Sequence, residues 1–324
     1  MNRPASDDRR WMAAAIALAA RVCGRTAPNP AVGCIIVRDG HVIGRGWTQS
    51  GGRPHAEARA IEAAGDVAGA TLYVTLEPCA HVSARGPACA GLIAAAKPAR
   101  VVIALHDPDP RTDGKGIARL EAAGIAVTQG VGTDAARASM AGFLTRQAKG
   151  RPHVTLKLAI SLDGRIALPD GSSRWITGDA ARAHAHLERA RHEMILVGRG
   201  TLDADAPRLD VRLPGLEDRS PRRAVLGHRA APDGWTALRS PADIGALDAV
   251  DHLFVEGGAG AAAAFLAADL VDRLLIYTAP IVIGAGRPAI GDIGLTDLAH
   301  SHGRWRRTDT RTLGIDTLSI YERI

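Results

Sequence analysis

The chain has 324 residues, 46% hydrophobic and 23% charged, which is room for two globular domains and excludes a disordered chain. Four cysteines are too few for a disulfide scaffold at this length, and no apolar run reaches the ~20 residues of a helical membrane span. The net charge of +6 lies in residues 1–150, with 18 basic against 12 acidic residues, whereas residues 151–324 hold 22 of each. A basic half admits nucleic acid or a phosphorylated small molecule. Aromatics at 3% and scattered basic residues supply no base-stacking platform, which favours the small molecule.

The first predicted element is a helix over residues 7–23. Its "RRWMAAAIALAARVCG" has the outline of a secretory leader, but no small-residue cleavage site follows. Ser6-Asp7-Asp8 reads as an N-cap with an acidic first turn, so the stretch is expected to open a cytoplasmic protein. "VGCIIVRDGHVIGRGW" predicts a β-hairpin turning at Asp39-Gly40. "HAEARAIEAAG" predicts a helix ending at Gly65, "ATLYVTLEP" a strand, "ACAGLIAAA" a helix and "RVVIAL" a strand. "GKGIARLEAAG" and "IAVTQG" repeat the alternation, and a helix over 133–148 closes an α/β half. Lys149-Gly150-Arg151-Pro152 breaks the pattern. Strands then follow from His153 and at "MILVG", "RAVL", "HLFVEGG", "RLLIYTAPIVIG" and "TLSIYERI", with helices near 179–191 and 259–268. The division expected is 1–148 and 151–324.

The first half holds a metal-ligand pattern. His55 and Glu57 stand two apart at a helix start, Cys79 follows Pro78 at a strand end, and Cys89 lies ten further on. A His and two Cys leave one position of a tetrahedral Zn²⁺ open for water. Glu57 is then the proton carrier, taking a proton from that water and returning protons to the ring nitrogen and the departing ammonia. Zinc nucleobase deaminases pair H-x-E with P-C-x-x-C; here the cysteines are ten apart rather than three. Any one of these residues alone reads better as a structural residue; the combination reads as a catalytic zinc site. The dipole of a helix starting after Cys79 is expected to favour its thiolate. His81 is the one candidate for a fourth protein ligand and reads better as a loop or substrate contact.

The strings "APNPAVGCIIV", "HAEARAI", "YVTLEPCAHVSARGPACA" and "HDPDPRTDGKGI" resemble, in order, the deaminase half of the bifunctional pyrimidine deaminase/reductases of riboflavin biosynthesis. The Cys79–Cys89 loop is one residue longer than that family's usual form. The resemblance implies that Asn29 holds the pyrimidine. The Gly-Lys turn at 114–116 opens a helix and is a candidate phosphate contact, against a plain capped loop.

In the second half, "ILVGRGT" and "LFVEGGAGAAAAFL" place glycines between a strand and a helix, which suits a dinucleotide pyrophosphate or merely tight packing. Neither is a good G-x-G-x-x-G. "VTLKLAISLDGRIA", "SSRWITG", "ILVGRGTLDADAPRLDVR" and "FVEGGAG" are similar to the reductase half of the same family, whose fold is dihydrofolate-reductase-like. That similarity implies that Ala159, Trp175, Thr201, Asp205, Gly258, Ala259, Gly260, Ala261, Ala262, Ala263 and Ala264 line NADPH. It implies that Ser173, Arg189, Leu209, Arg212 and Glu256 hold the substrate. Lys157, on a strand, reads as near the substrate or equally as a surface or salt-bridge residue; Lys157 and Asp205 are the catalytic candidates. Residues 227–252 are shorter than the family's, a strand-helix unit being trimmed there, so the cofactor residue expected near His228 is not carried over.

The resulting expectation is an α/β protein with a cytidine-deaminase-like mixed-sheet domain and a dihydrofolate-reductase-like domain. It uses Zn²⁺ and NADPH to deaminate 2,5-diamino-6-ribosylamino-4(3H)-pyrimidinone 5′-phosphate and then reduce its ribosyl group to ribityl. The expected partner is that small phosphorylated pyrimidine, with no nucleic acid and no membrane, in a cytoplasmic homo-oligomer. Two alternatives stay open: a nucleic-acid deaminase, and a deaminase whose second domain is a non-catalytic module.

Overall fold

The Asp39-Gly40 turn joins β1 (Gly33–Arg38) to β2 (His41–Trp47) with both residues at positive φ, 50° and 79°, as a two-residue type I′ hairpin demands. The computed structural model describes residues 5–82 and 86–324, and the side chains of residues 7–82 and 86–324. It separates into two compact units, Met1–Lys149 and Gly150–Ile324. The Ser6 side chain, expected as a helix cap, lies outside the described residues.

In the first unit, helix α1 (Ala5–Ala19) lies against β1, and α2 (Ala56–Ala64) against β2. Glycines set those distances. A Cβ on Gly33 would come within 1.9 Å of the Ala15 carbonyl oxygen, and one on Gly46 within 2.0 Å of the Ala56 oxygen. After α2 come β3 (Thr71–Val74), α3 (Cys89–Ala96), β4 (Arg100–Ile103), α4 (Lys115–Ala122) and β5 (Ala126–Gln129). Among the described residues the sheet order is β2-β1-β3-β4-β5, antiparallel through β3 and parallel beyond. The Asp8 carboxylate accepts from Tyr73 Oη at 2.9 Å and Arg100 Nη2 at 2.8 Å, tying α1 to β3 and β4. The single helix expected over 133–148 is two, α5 (Thr133–Ser139) and α6 (Ala141–Lys149). Met140 breaks them at φ −117°, with its side chain in the core.

The second unit begins with β6 (His153–Ile160), β7 (Arg165–Ala167), α7 (Asp179–Arg189), β8 (Met194–Gly198) and α8 (Arg199–Asp205). It continues through β9 (Arg222–Leu226), β10 (Trp235–Leu238), β11 (His252–Val255), α9 (Ala259–Ala267) and β12 (Arg273–Thr278). The last strands are β13 (Arg287–Pro288), β14 (Trp305–Leu313) and β15 (Asp316–Arg323). The described sheet runs β10-β9-β8-β11-β6-β12-β15-β14, parallel as far as β12, while β13 pairs with β7 separately. Strand alternation divides the core into two faces. Met194, Leu196, Leu253 and Val255 pack on one with Phe265, and Ile195, Val197 and Phe254 on the other with Ala181 and Ala185 of α7.

Residues 227–252, expected to hold a trimmed strand-helix unit, contain β10 and a 3₁₀ turn, Pro241–Ala246, closed by a Ser240/Asp243 capping box. One expectation is corrected here. The long run expected over "RLLIYTAPIVIG" stops as a strand at Thr278, before Ala279-Pro280.

Candidate functional sites

Helices α2 and α3 and the end of β3 place the candidate metal ligands. His55 is the N-cap of α2, in extended backbone at ψ 164°, which leaves its ring clear of the helix. Cys79 follows the end of β3, and Cys89 is the first residue of α3. His55 Nδ1 lies 3.6 Å from Cys79 Sγ and 3.3 Å from Cys89 Sγ, and all three donor atoms fall within 4.8 Å of one another. Zn–S and Zn–N bonds of the usual lengths at a tetrahedral angle put N and S about 3.5 Å apart. The donor set therefore fits zinc in chemistry and spacing. His81 is not in this cluster; its Nδ1 lies 3.5 Å from Thr112 Oγ1.

The helix effect at Cys79 acts differently from the expectation. No helix starts at Cys79; the helix begins at Cys89, and its first N–H donates to Cys79 Sγ at 3.3 Å. Hydrogen bonding from Cys89 and His55 brings the Cys79 thiol down to about 4, against the opposing effect of burial. The same pairing and burial push the Cys89 thiol up. Glu57, in the first turn of α2, is buried. Burial raises its carboxyl to about 7, with the Cys79 charge adding and His55 opposing, a range suited to passing protons both ways.

The turn at 114–116 is not a phosphate cradle. The buried Glu77 carboxylate accepts from the N–H groups of Gly114 (3.1 Å), Gly116 (3.0 Å) and Ile117 (3.2 Å), which satisfies the start of α4 from inside. Glu77 was absent from the expected site residues; its signal, a Glu directly before Pro-Cys, is legible only once the loop it anchors is known.

In the second unit a cavity of about 1310 Å³ opens at the ends of β6, β8 and β11, larger than one ligand requires. Of the expected NADPH residues, Ala159, Trp175, Thr201, Asp205, Gly258, Ala259, Gly260 and Ala261 line it. Ala262, Ala263 and Ala264 do not: α9 turns them away, and Ala262 packs in the core with Phe265. The expected substrate residues Ser173, Arg189, Leu209, Arg212 and Glu256 all line the cavity, as does Lys157. Asn29 belongs to the first unit, beside His55.

Close backbone packing shapes the cavity beside the expected cofactor residues. A Cβ on Gly257 would meet Ala261 Cβ at 2.8 Å, whereas one on Gly260 would meet nothing within 4 Å, leaving the start of α9 open to the cavity. The Gly258 N–H donates to Thr201 Oγ1 at 3.1 Å, coupling α9 to α8. The open space at Gly260, with Trp175 exposed and Arg182 over its ring at 4.9 Å, fits a dinucleotide. His228 stands outside the lining, but Arg199 lines it and donates to the Arg229 and Ala230 carbonyls, both at 2.8 Å.

Among the expected substrate residues, Glu256 accepts from Arg189 Nε at 2.8 Å and Nη2 at 2.9 Å, and from Lys157 Nζ at 3.2 Å. Burial opposes its charge, yet the two cations hold the carboxyl at about 2. Tyr277 and Arg287 also line this cavity and were missed. In the sequence Tyr277 is one more apolar-strand residue, and Arg287 sits in a Gly-rich turn without a motif.

Residues 5–105 match the cytidine and deoxycytidylate deaminase zinc-binding region, and residues 152–240 and 246–319 match the RibD C-terminal domain. The gap between the last two spans falls in the 3₁₀ turn Pro241–Ala246. The riboflavin biosynthesis protein RibD of Escherichia coli is 39% identical over 86% of this chain and 89% of its own. Among solved structures, RibD of Acinetobacter baumannii is similar with a TM-score of 0.86 and 34% identity over 99% of both chains. The diaminohydroxyphosphoribosylaminopyrimidine deaminase/5-amino-6-(5-phosphoribosylamino)uracil reductase of Thermotoga maritima has a TM-score of 0.90 and 30% identity over 99% of this chain and all of its own.

Proposed function

The chain belongs to the RibD family, the bifunctional zinc-dependent deaminase and NADPH-dependent reductase of riboflavin biosynthesis, and on that premise we propose how its residues divide the two reactions. The unit ending at Lys149 deaminates the diaminopyrimidine ribotide, and the unit from Gly150 reduces the product.

His55, Cys79 and Cys89 would hold zinc, which as a Lewis acid would make water nucleophilic near neutral pH. Glu57 accepts the proton that water loses on attacking the amine-bearing ring carbon and delivers it to the ring nitrogen. The newly added hydroxyl then gives up its proton through Glu57 to the amine, so that a carbonyl forms as the C–N bond breaks and the amine leaves as ammonia. Its burial keeps the transferred proton from bulk water.

In the second unit the cofactor supplies the hydride, and the protein sets distance and orientation. The open start of α9 would receive the pyrophosphate, and Ala159, Trp175, Thr201 and Asp205 would flank the rest of the dinucleotide. Ser173, Arg189, Leu209, Arg212 and Glu256 hold the pyrimidine ribotide. Reduction of the sugar carbon needs one proton beside the hydride, and Lys157, which lines the cavity and donates through Nζ to Glu256 at 3.2 Å, is placed to give it.

The observation carrying this reading is the convergence of His55, Cys79 and Cys89 with a buried Glu57, in one chain with an arginine-rich dinucleotide cavity. Removing zinc with a chelator should stop ammonia release and spare NADPH oxidation with the deaminated pyrimidine. Asp205→Ala should do the reverse. Unchanged reductase turnover in Asp205→Ala contradicts its assignment.

The proposal includes a cytoplasmic homo-oligomer. No described helix is long and apolar enough to cross a membrane. Leu162, Ile281 and Val282 form an exposed apolar cluster, the Leu162 N–H donating to the Ile281 carbonyl at 2.8 Å, and this supports association of copies. Sedimentation velocity tests it: a monomer at micromolar concentration contradicts it.

A further inference from the structure

The family resemblance assigns Asn29 to the pyrimidine, but its side chain also touches a metal ligand. The Asn29 amide lies 3.3 Å from His55 Nε2, the ring nitrogen opposite the Nδ1 that faces Cys79 and Cys89. Gly52 confines that amide. At φ 88°, it has no Cβ, and one placed there would stand 2.6 to 2.8 Å from three Asn29 side-chain atoms. The Asn29 backbone is pinned as well, its N–H donating to the Thr26 carbonyl at 2.8 Å.

An imidazole that gives its Nδ1 lone pair to a metal keeps its proton on Nε2, so Nε2 is a donor. As placed, Nδ2 is the amide atom nearer to Nε2, and two donors would then face each other. A half-turn of the amide changes no shape and brings Oδ1 into the accepting position. Both hydrogens of Nδ2 are then committed to the opposite edge of a partly exposed side chain.

We propose that Asn29 is a positioning residue for the zinc site: its Oδ1 accepts from His55 Nε2–H and fixes the tautomer whose Nδ1 is free for metal. The same bond fixes the other edge as a pure donor. The deaminase pocket therefore selects a ring that presents a hydrogen-bond acceptor, a carbonyl oxygen or an unprotonated ring nitrogen, at that edge. The substrate half of this inference rests on the deamination reading above; the metal half does not.

The test uses the full chain and separates the two halves. Zinc affinity is measured by competition with a chromophoric chelator, with NADPH oxidation and the thermal melt of the zinc-loaded protein as controls for folding. Asn29→Ala loses the acceptor, and outer partners of this kind are worth about 10- to 100-fold in metal affinity. Asn29→Asp keeps an acceptor and loses the donor edge, so it binds zinc as tightly as the parent or tighter, while kcat/KM for deamination falls through KM. Equal zinc affinity in Asn29→Ala and the parent overturns the positioning role, whatever happens to activity. Weakened zinc binding in Asn29→Asp, equal to that of Asn29→Ala, overturns the acceptor argument. An unchanged deamination KM in zinc-loaded Asn29→Asp overturns the donor edge alone.

Discussion

Replacing Glu256 by Gln tests the electrostatics of the reductase cavity. The Glu256 side chain is 16% exposed, between Lys157 at 17% and Arg189 at 12%. Its carboxyl is held at about 2 against an ordinary 4.5. At 1.36 kcal/mol per pK unit, that difference corresponds to roughly 3 kcal/mol of folding stability, an upper value because the cavity admits water. The folded value is the depressed one, so this stability is complete above pH ~4.5 and is lost as pH falls towards ~2. Glu256→Gln removes it at neutral pH and leaves two cations facing each other, for a predicted loss of about 2–3 kcal/mol. Hydrogen-exchange mass spectrometry on the β11 and β12 peptides reads the second unit without interference from the first. The Lys157→Met/Glu256→Gln double variant should be destabilised by less than the sum of the single variants. Unchanged protection of β11 in Glu256→Gln, with additive double-variant energies, would refute the reasoning.

The other predictions are local. His192 is buried with its imidazole held near 4 by desolvation, so its contribution to stability is complete above pH ~6.5 and fades between there and ~4, by about 3 kcal/mol at most. Urea midpoints should fall across that window, less steeply in His192→Gln; equal slopes contradict the assignment. Gly46→Ala drives a Cβ into the Ala56 carbonyl, which cannot yield without moving α2, so a cost of about 1–3 kcal/mol or more is expected together with weaker zinc binding. Parent-like melting and zinc affinity in that variant would show that α2 can shift freely.

Elements with one strong local signal were legible in the sequence. The β1–β2 hairpin follows from Asp39-Gly40, and the convergence of His55, Cys79 and Cys89 from residue types with few other uses together. What was missed depends on tertiary partners. β14 is a polar strand at the sheet edge, "WRRTDTRTL", which lacks a buried strand's apolar run. The break at Met140 comes from its burial, not from any helix breaker in the sequence. The alanines of α9 read alike, and only the helix phase separates Ala259 and Ala261 at the cavity from Ala262 in the core. Glu77 looks like any carboxylate until the start of α4 is seen folded onto it.

The most direct test of the whole account is mass spectrometry of the products formed from the diaminopyrimidine ribotide by the zinc-loaded protein, with and without NADPH. The account predicts the deaminated ribosyl compound alone without NADPH, and the ribityl compound only when NADPH is present. Deamination with no NADPH-dependent mass gain of two hydrogens would contradict the reductase cavity, and no change in the ribotide at all would contradict the central claim.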